Sequence, residues 1–144
     1  MRIELKRLNE ACYMEARNED GNSIHIDGAP EIGGENKGFR PMQLLAAGAG
    51  GCSSIDIITI LKKQRQPLKS LEVLVDAERE EDAVPSLFKT IHLHYILGGQ
   101  LEKDKVEKAI NLSLEKYCSV VKLLEKTAKI SYSYKIIPGS YEKE

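Results

Sequence analysis

Three cysteines, Cys12, Cys52 and Cys118, are the residues of this chain best suited to chemistry, and their odd number and wide spacing decide which chemistry stays open. They fit neither a secreted disulfide framework nor a CxxC zinc motif, which leaves free or redox-active thiols. A lone cysteine in an apolar setting behaves as a small hydrophobe, and Cys12, in the strand read over residues 11–17, takes that structural reading. Cys118 differs because it stands at or just before the start of a short helix, where unpaired N–H groups and the helix dipole favour thiolate. Cys52 has Ser53 beside it and Asp56 one turn on, so polar groups gather on an otherwise apolar helix. Two thiols from different helices can meet as a dithiol that becomes a disulfide, one attacking an oxidant and the other resolving the sulfenic acid. His92 and His94 share one strand face without a third ligand at recognisable spacing, so they read as surface-strand residues, and His25 stands alone. Gly33-Gly34 lacks the strand and helix that a phosphate loop requires. No metal and no cofactor is expected.

Cys52 is carried by a helix read over residues 41–63. Pro41 suits a first helical turn, where its missing N–H has no partner to lose. From Leu44 to Leu61 the side chains are apolar or very small on nearly every face, so the helix is expected to be buried. Its length would span a membrane, but Gln43, Ser53, Ser54, Asp56 and Thr59 interrupt the apolar run and argue for a core helix. Gly48, Gly50 and Gly51 each cost about 1 kcal/mol of helix propensity relative to alanine, and close approach of another backbone compensates such a cost. A chain of this size supplies few neighbours for so apolar a helix, so one face is expected to pack on a second subunit through those glycines, making a homodimer.

The other elements follow from periodicity. Residues 1–27 read as N-terminal antiparallel strands, with a strong turn at Glu19-Asp20-Gly21-Asn22. Asp27 to Arg40 is a glycine-rich loop of the length that often carries function. Residues 70–98 alternate in two runs, Leu71 to Ala77 and Phe88 to Leu97, joined through the charged stretch that ends at Asp82 and Pro85, and form a hairpin. Residues 101–126 hold two helices: an amphipathic one whose apolar face runs from Leu101 through Val106, Ala109, Ile110 and Leu114 to Tyr117, and a short one with Ser119 as N-cap. A last strand occupies 128–137, with Tyr132 and Tyr134 as packing residues. This order defines an α+β fold, an antiparallel sheet with a long buried central helix, and a single domain over residues 1–144.

Composition excludes several classes. Charged residues make up 30% of the 144 and the net charge is −1, so no basic patch argues for nucleic acid or an anionic membrane. No segment reads as a signal peptide or membrane span, so a cytoplasmic protein is expected.

The run PMQLLAAGAGGCSSIDI resembles the cysteine-bearing central helix of the OsmC/Ohr family, and EKYCSVVKLLEK is similar to that family's second cysteine segment. The order of elements matches along nearly the whole chain. The resemblance implies an intertwined homodimer with a two-cysteine site at the subunit interface. It implies reduction of hydroperoxides, organic ones especially, in oxidative-stress defence. Cys52 would be peroxidatic and Cys118 resolving, with a cellular dithiol as reductant. One position departs from that pattern: where peroxidase members carry a glutamate ten residues before the first cysteine, this chain has Met42, followed by Gln43. That glutamate helps to orient an arginine from the N-terminal region, for which Arg17 and Arg40 are the candidates by position. The departure keeps a second reading open, a non-catalytic dimer that binds a small hydrophobic ligand or serves as a thiol sensor.

Overall fold

The computed structural model describes residues 1–139 of the chain. Its elements, in order, are β1 (Ile3–Arg7), β2 (Met14–Asn18), β3 (Ser23–Ile26), a 3-10 turn (Pro30–Ile32), α1 (Pro41–Lys63), β4 (Ser70–Arg79), β5 (Phe88–Gly98), α2 (Lys103–Leu112), a π-helical turn (Ser113–Tyr117), α3 (Ser119–Leu124) and β6 (Lys129–Ile137). The fold is α+β, with a long central helix and two three-stranded sheets in the orders β1-β2-β3 and β4-β5-β6. By contacts the chain divides into two compact units, one from Met1 to Leu45 and one from Ala46 onward, where the sequence reads a single domain.

In the first unit, β1, β2 and β3 form an antiparallel meander in which Leu5, Ala16 and Ile24 make one cross-strand row. Cys12 lies outside any strand, in the bend before β2, with its thiol 3.7 Å from the Ile32 carbonyl oxygen. The loop after β3 is held by one buried carboxylate. Asp27 Oδ1 accepts the N–H of Gly28 at 2.8 Å, and Oδ2 accepts those of Glu35 at 3.0 Å and Lys37 at 3.1 Å. Burial alone would raise the Asp27 pKa, but the three N–H donors outweigh it and hold the carboxyl below its usual range. Gly34 completes the loop, since a Cβ there would sit 1.7 Å from the Gly28 carbonyl oxygen. His25 is not alone: its ring lies 5.3 Å from that of Tyr13 and its Nε2 is 3.7 Å from Glu15.

Helix α1 opens with half a capping box, in which the Gln43 Oε1 reaches back to accept the Arg40 backbone N–H at 2.9 Å. It closes at Arg65, whose φ of 57° is left-handed, while the Gln66 N–H returns 2.9 Å to the Leu61 carbonyl. The Gln66 side chain then brackets the start of α2. It accepts the Glu102 N–H at 2.7 Å and donates to the Glu102 carboxylate at 3.1 Å.

Within the second unit α1 is buried along one stripe only, comprising Ala49, Gly50, Ser53, Ile57 and Leu61. A second stripe, Ala47, Gly51, Ile55 and Ile58, is exposed, although it too is apolar. By length and composition alone α1 would pass as a membrane span, but the buried stripe marks it as the core helix of this unit. Within the chain the helix is therefore covered on one side, which leaves the uncovered face that the sequence assigns to a second subunit. The glycines divide differently from the expectation: a Cβ on Gly50 would lie 2.9 Å from Val75 of β4, and one on Gly48 would lie 3.6 Å from Val120 of α3. Gly48 and Gly50 thus serve packing inside the chain. Of the three α1 glycines, Gly51 alone faces open space.

Strands β4 and β5 pair antiparallel with Val73 opposite Tyr95 and Val75 opposite Leu93. β6 runs parallel to β5, with Tyr134 beside Tyr95. The sequence reads the sheet as antiparallel, and alternation of side chains cannot distinguish the two directions. A parallel neighbour needs a long crossover, and α2, the π turn and α3 form it. Val106, Ala109, Ile110 and Leu114 are buried as the amphipathic pattern requires, but Tyr117 is exposed because the π turn rotates it off that face. Tyr132 and Tyr134 are half-buried, their hydroxyls donating to Asn111 at 2.9 Å and Glu107 at 2.6 Å.

Two outcomes are expected. Gly50→Ala should lower unfolding free energy by about 1–3 kcal/mol in urea titrations, because Val75 must move to admit the methyl group. The depressed Asp27 pKa contributes stability that is full above the ordinary aspartate range and is lost as pH falls below about 4 towards the folded value. Acid unfolding curves of Asp27→Asn should therefore show a weaker loss across that interval than the wild type, from a lower starting stability at neutral pH.

Candidate functional site: a cysteine pair

All the polar groups of the site belong to the second unit. Cys52 and Ser53 are neighbours on α1, with Asp56 one helical turn further on. Tyr95 comes from the centre of β5, Ser113 from the π turn and Cys118 from the head of α3. The Cys52 and Cys118 sulfurs and an Asp56 carboxylate oxygen all lie within 4.8 Å of one another. Cys118 is fully buried, whereas Cys52 and Asp56 are partly exposed, so the cluster is approached from the α1 side.

Each donor is oriented from behind. Cys118, not Ser119, is the N-cap of α3, and its sulfur accepts the Val121 backbone N–H at 3.5 Å. Ser113 donates its hydroxyl to Asp56 Oδ2 at 3.0 Å, from a π turn that inserts an extra residue between α2 and Cys118. Tyr95, with no exposed surface, donates to Ser53 Oγ at 2.7 Å, and Ser53 in turn donates to the Ala49 carbonyl at 2.8 Å. Burial pushes the Tyr95 pKa up to about 12, helped by the charges of Cys118 and Asp56 and opposed by the Ser53 bond, so the phenol remains a donor at neutral pH.

Burial likewise pushes the Cys118 thiol up to about 11; the Val121 N–H opposes this, while Cys52 and Asp56 add to it. Its electrostatic neighbours are thus potential anions, and the helix start does not by itself make a thiolate here. Asp56 has no ion pair among the described residues. The two arginines considered from sequence are engaged elsewhere: Arg17 pairs with Glu15 at 2.6 Å, and Arg40 donates to Asn36. His92 and His94 bond to Ser131 and Ser133 of β6 across the outer face of their sheet.

Cys52 and Cys118, singled out from sequence, are brought together. Tyr95, Ser53 and Ser113 form a network behind the pair that sequence spacing does not disclose. The available signal was a tyrosine within the alternating apolar run of β5, since a buried phenol must find a partner.

A helix-borne, accessible cysteine facing a buried one at the head of a second helix defines a two-cysteine thiol protein of α+β fold. The family model described as OsmC-like protein matches residues 34–133, and the chain belongs to that family. Protein YhfA of Escherichia coli K12 is 43% identical over 118 residues, covering 81% of this chain and 84% of YhfA. A crystal structure of a protein from Aquifex aeolicus VF5 aligns over 94% of this chain and 96% of its own, with 33% identity and a TM-score of 0.77. The organic hydroperoxide resistance protein OhrB of Bacillus subtilis shares the fold, with a TM-score of 0.62 at 21% identity over 94% of this chain and 98% of OhrB.

The hydrogen-bond order gives an asymmetric expectation. Tyr95→Phe removes a donor that Ser53 does not need, since Ser53 keeps its own bond to Ala49, and should cost about 1 kcal/mol. Ser53→Ala leaves the buried Tyr95 hydroxyl without an acceptor and should cost about 1–3 kcal/mol in the same denaturation assay.

Proposed function

We propose that this chain is a thiol-dependent peroxidase of the OsmC-like family that reduces hydroperoxides, organic ones among them, through Cys52 and Cys118. One observation carries the reading: the sulfurs of Cys52 and Cys118, far apart in sequence, lie within 4.8 Å of each other. The names of relatives support it, since OhrB is an organic hydroperoxide resistance protein and a Legionella pneumophila structure carries the same description.

Exposure supports the division of roles. Cys52 is within reach of a peroxide and Cys118 is not. The Cys52 thiolate attacks one peroxide oxygen; the O–O bond breaks, the sulfur becomes a sulfenic acid, and the departing alkoxide takes a proton and leaves as the alcohol. The Cys118 thiol then condenses with the sulfenic acid, releasing water and forming the disulfide. A dithiol donor restores both thiols and is itself oxidised. Burial keeps the Cys118 thiol protonated at neutral pH, so it gives up its proton as its sulfur attacks the Cys52 sulfenic acid and water leaves. No protein group that would hold a cofactor enters this sequence of steps.

The exposed apolar stripe of α1 supports a homodimer, in which a second copy would cover Ala47, Gly51, Ile55 and Ile58. A cytoplasmic location and a single OsmC-like domain across the described residues fit the same reading; the family match, over residues 34–133, runs through both compact units. Residues 140–144 lie outside the described part.

A second reading, a non-catalytic dimer that binds a small hydrophobic ligand or senses oxidants through its thiols, is favoured by two features. The pair has Asp56 as its charged neighbour, and Met42 stands where peroxidase members carry a glutamate.

Purified protein with a dithiol donor is expected to consume cumene hydroperoxide or hydrogen peroxide catalytically. Cys52→Ser should abolish turnover, and Cys118→Ser should stop after one equivalent with a trappable sulfenic acid. A wild type that consumes neither peroxide, or a Cys52→Ser variant as active as the wild type, would remove the peroxidase reading. The second reading then requires that peroxide produce no Cys52–Cys118 disulfide by mass spectrometry, or produce it only once per molecule.

A further inference from the structure

Cys52, Asp56 and Cys118 are three donors of the kind that hold a thiophilic metal, and they come together without a positive charge. Two soft sulfurs and one carboxylate oxygen within 4.8 Å of one another approach the spread around a bound zinc ion. With Zn–S near 2.3 Å and Zn–O near 2.0 Å, tetrahedral donors lie roughly 3.5–3.8 Å apart. A shift of about 1 Å would close the site, less than the sulfurs must travel to reach the roughly 2.05 Å of a disulfide bond.

Two further observations point the same way. Asp56 and Cys118 are each held from outside the cluster, by the Ser113 hydroxyl at 3.0 Å and the Val121 N–H at 3.5 Å, which is how outer partners orient metal ligands. The carboxylate has no cationic partner among the described residues, so no ion pair competes with a divalent cation for it. Lysine or arginine does not reach it from any ion pair in the second unit, where Lys103, Lys105 and Lys122 engage Glu107, Glu102 and Glu125.

We propose that the reduced protein binds one Zn2+ through Cys52 Sγ, Cys118 Sγ and an Asp56 carboxylate oxygen, with the fourth position open on the exposed side of α1. The site stands whether or not the protein is a peroxidase. It belongs to the dithiol state alone, because joining the sulfurs removes two of the three donors. Zinc and peroxide then compete for the same pair, and the metal shields Cys52 from electrophiles.

The test uses the full chain carrying Cys12→Ser, reduced and stripped of metal. Zn2+ titrated against a chromophoric chelator should bind at one equivalent per chain, and Co2+ should give thiolate-to-metal absorption of the intensity expected for two sulfurs. Asp56→Asn should weaken Zn2+ at least 10-fold, Ser113→Ala should weaken it by a smaller factor, and the peroxide-oxidised protein should bind none. One equivalent of Zn2+ should slow iodoacetamide alkylation of Cys52 at least 10-fold. Unchanged affinity in both Asp56→Asn and Ser113→Ala, or a cobalt spectrum showing fewer than two thiolates, would overturn the site. Peroxide turnover measured on the metal-free protein reports separately on the peroxidase reading.

Discussion

The geometry of the second unit rests on how closely α1 can lie against β4. At Gly50 the helix backbone meets Val73 and Val75 with no room for a methyl group, and this contact fixes the height of α1 above the sheet. Everything chemical is measured from there. One turn on, Ser53 points into the sheet and receives the Tyr95 hydroxyl, which locks the rotation of the helix about its axis. With height and rotation both set, Cys52 and Asp56 project beside that buried stripe, at its border with the exposed one, where α3 brings Cys118. The helix gives up roughly 1 kcal/mol of propensity at Gly50 and recovers it in contact that a bulkier residue would prevent.

The site is also unusual in what surrounds the sulfurs. A nucleophilic cysteine is ordinarily activated by a nearby cation or a helix N-terminus. Here the helix start acts on Cys118, the sulfur that is buried, and burial overrides it. The accessible sulfur has a carboxylate for its charged neighbour. The balance of reactivity between the two thiols is therefore set by access more than by charge, with Cys52 open to solvent and Cys118 sealed under α3.

Much of this was legible in the sequence. Pro41, the turn signals and the switch from period two to helical spacing marked every major element. The cysteine segments carried enough of a family pattern to give the fold. Three things were not legible, each for a physical reason. The direction of β6 escapes because side-chain alternation is the same in parallel and antiparallel strands. The partners of Gly48 and Gly50 escape because a small residue announces a close approach without naming what approaches, and here it was β4 and α3 of the same chain. The π turn at Ser113–Tyr117 escapes because its residues continue the apolar spacing of α2 up to Leu114; only the exposure of Tyr117 shows that the register has slipped. Cys118 serving as its own helix cap belongs with these, since a serine followed it and serine is the commoner cap.

The two sulfurs stand on opposite sides of the whole β4–β5 hairpin and of α2, so a bond between them would tie off a loop of about 65 residues, nearly half the chain. On chain-entropy grounds a loop of that length restrains the unfolded polypeptide by about 4 kcal/mol. Such a bond would couple oxidation state to thermal endurance. A molecule carrying that bond would outlast the reduced one when heated, and its melting temperature would gauge how much of the dithiol had been spent.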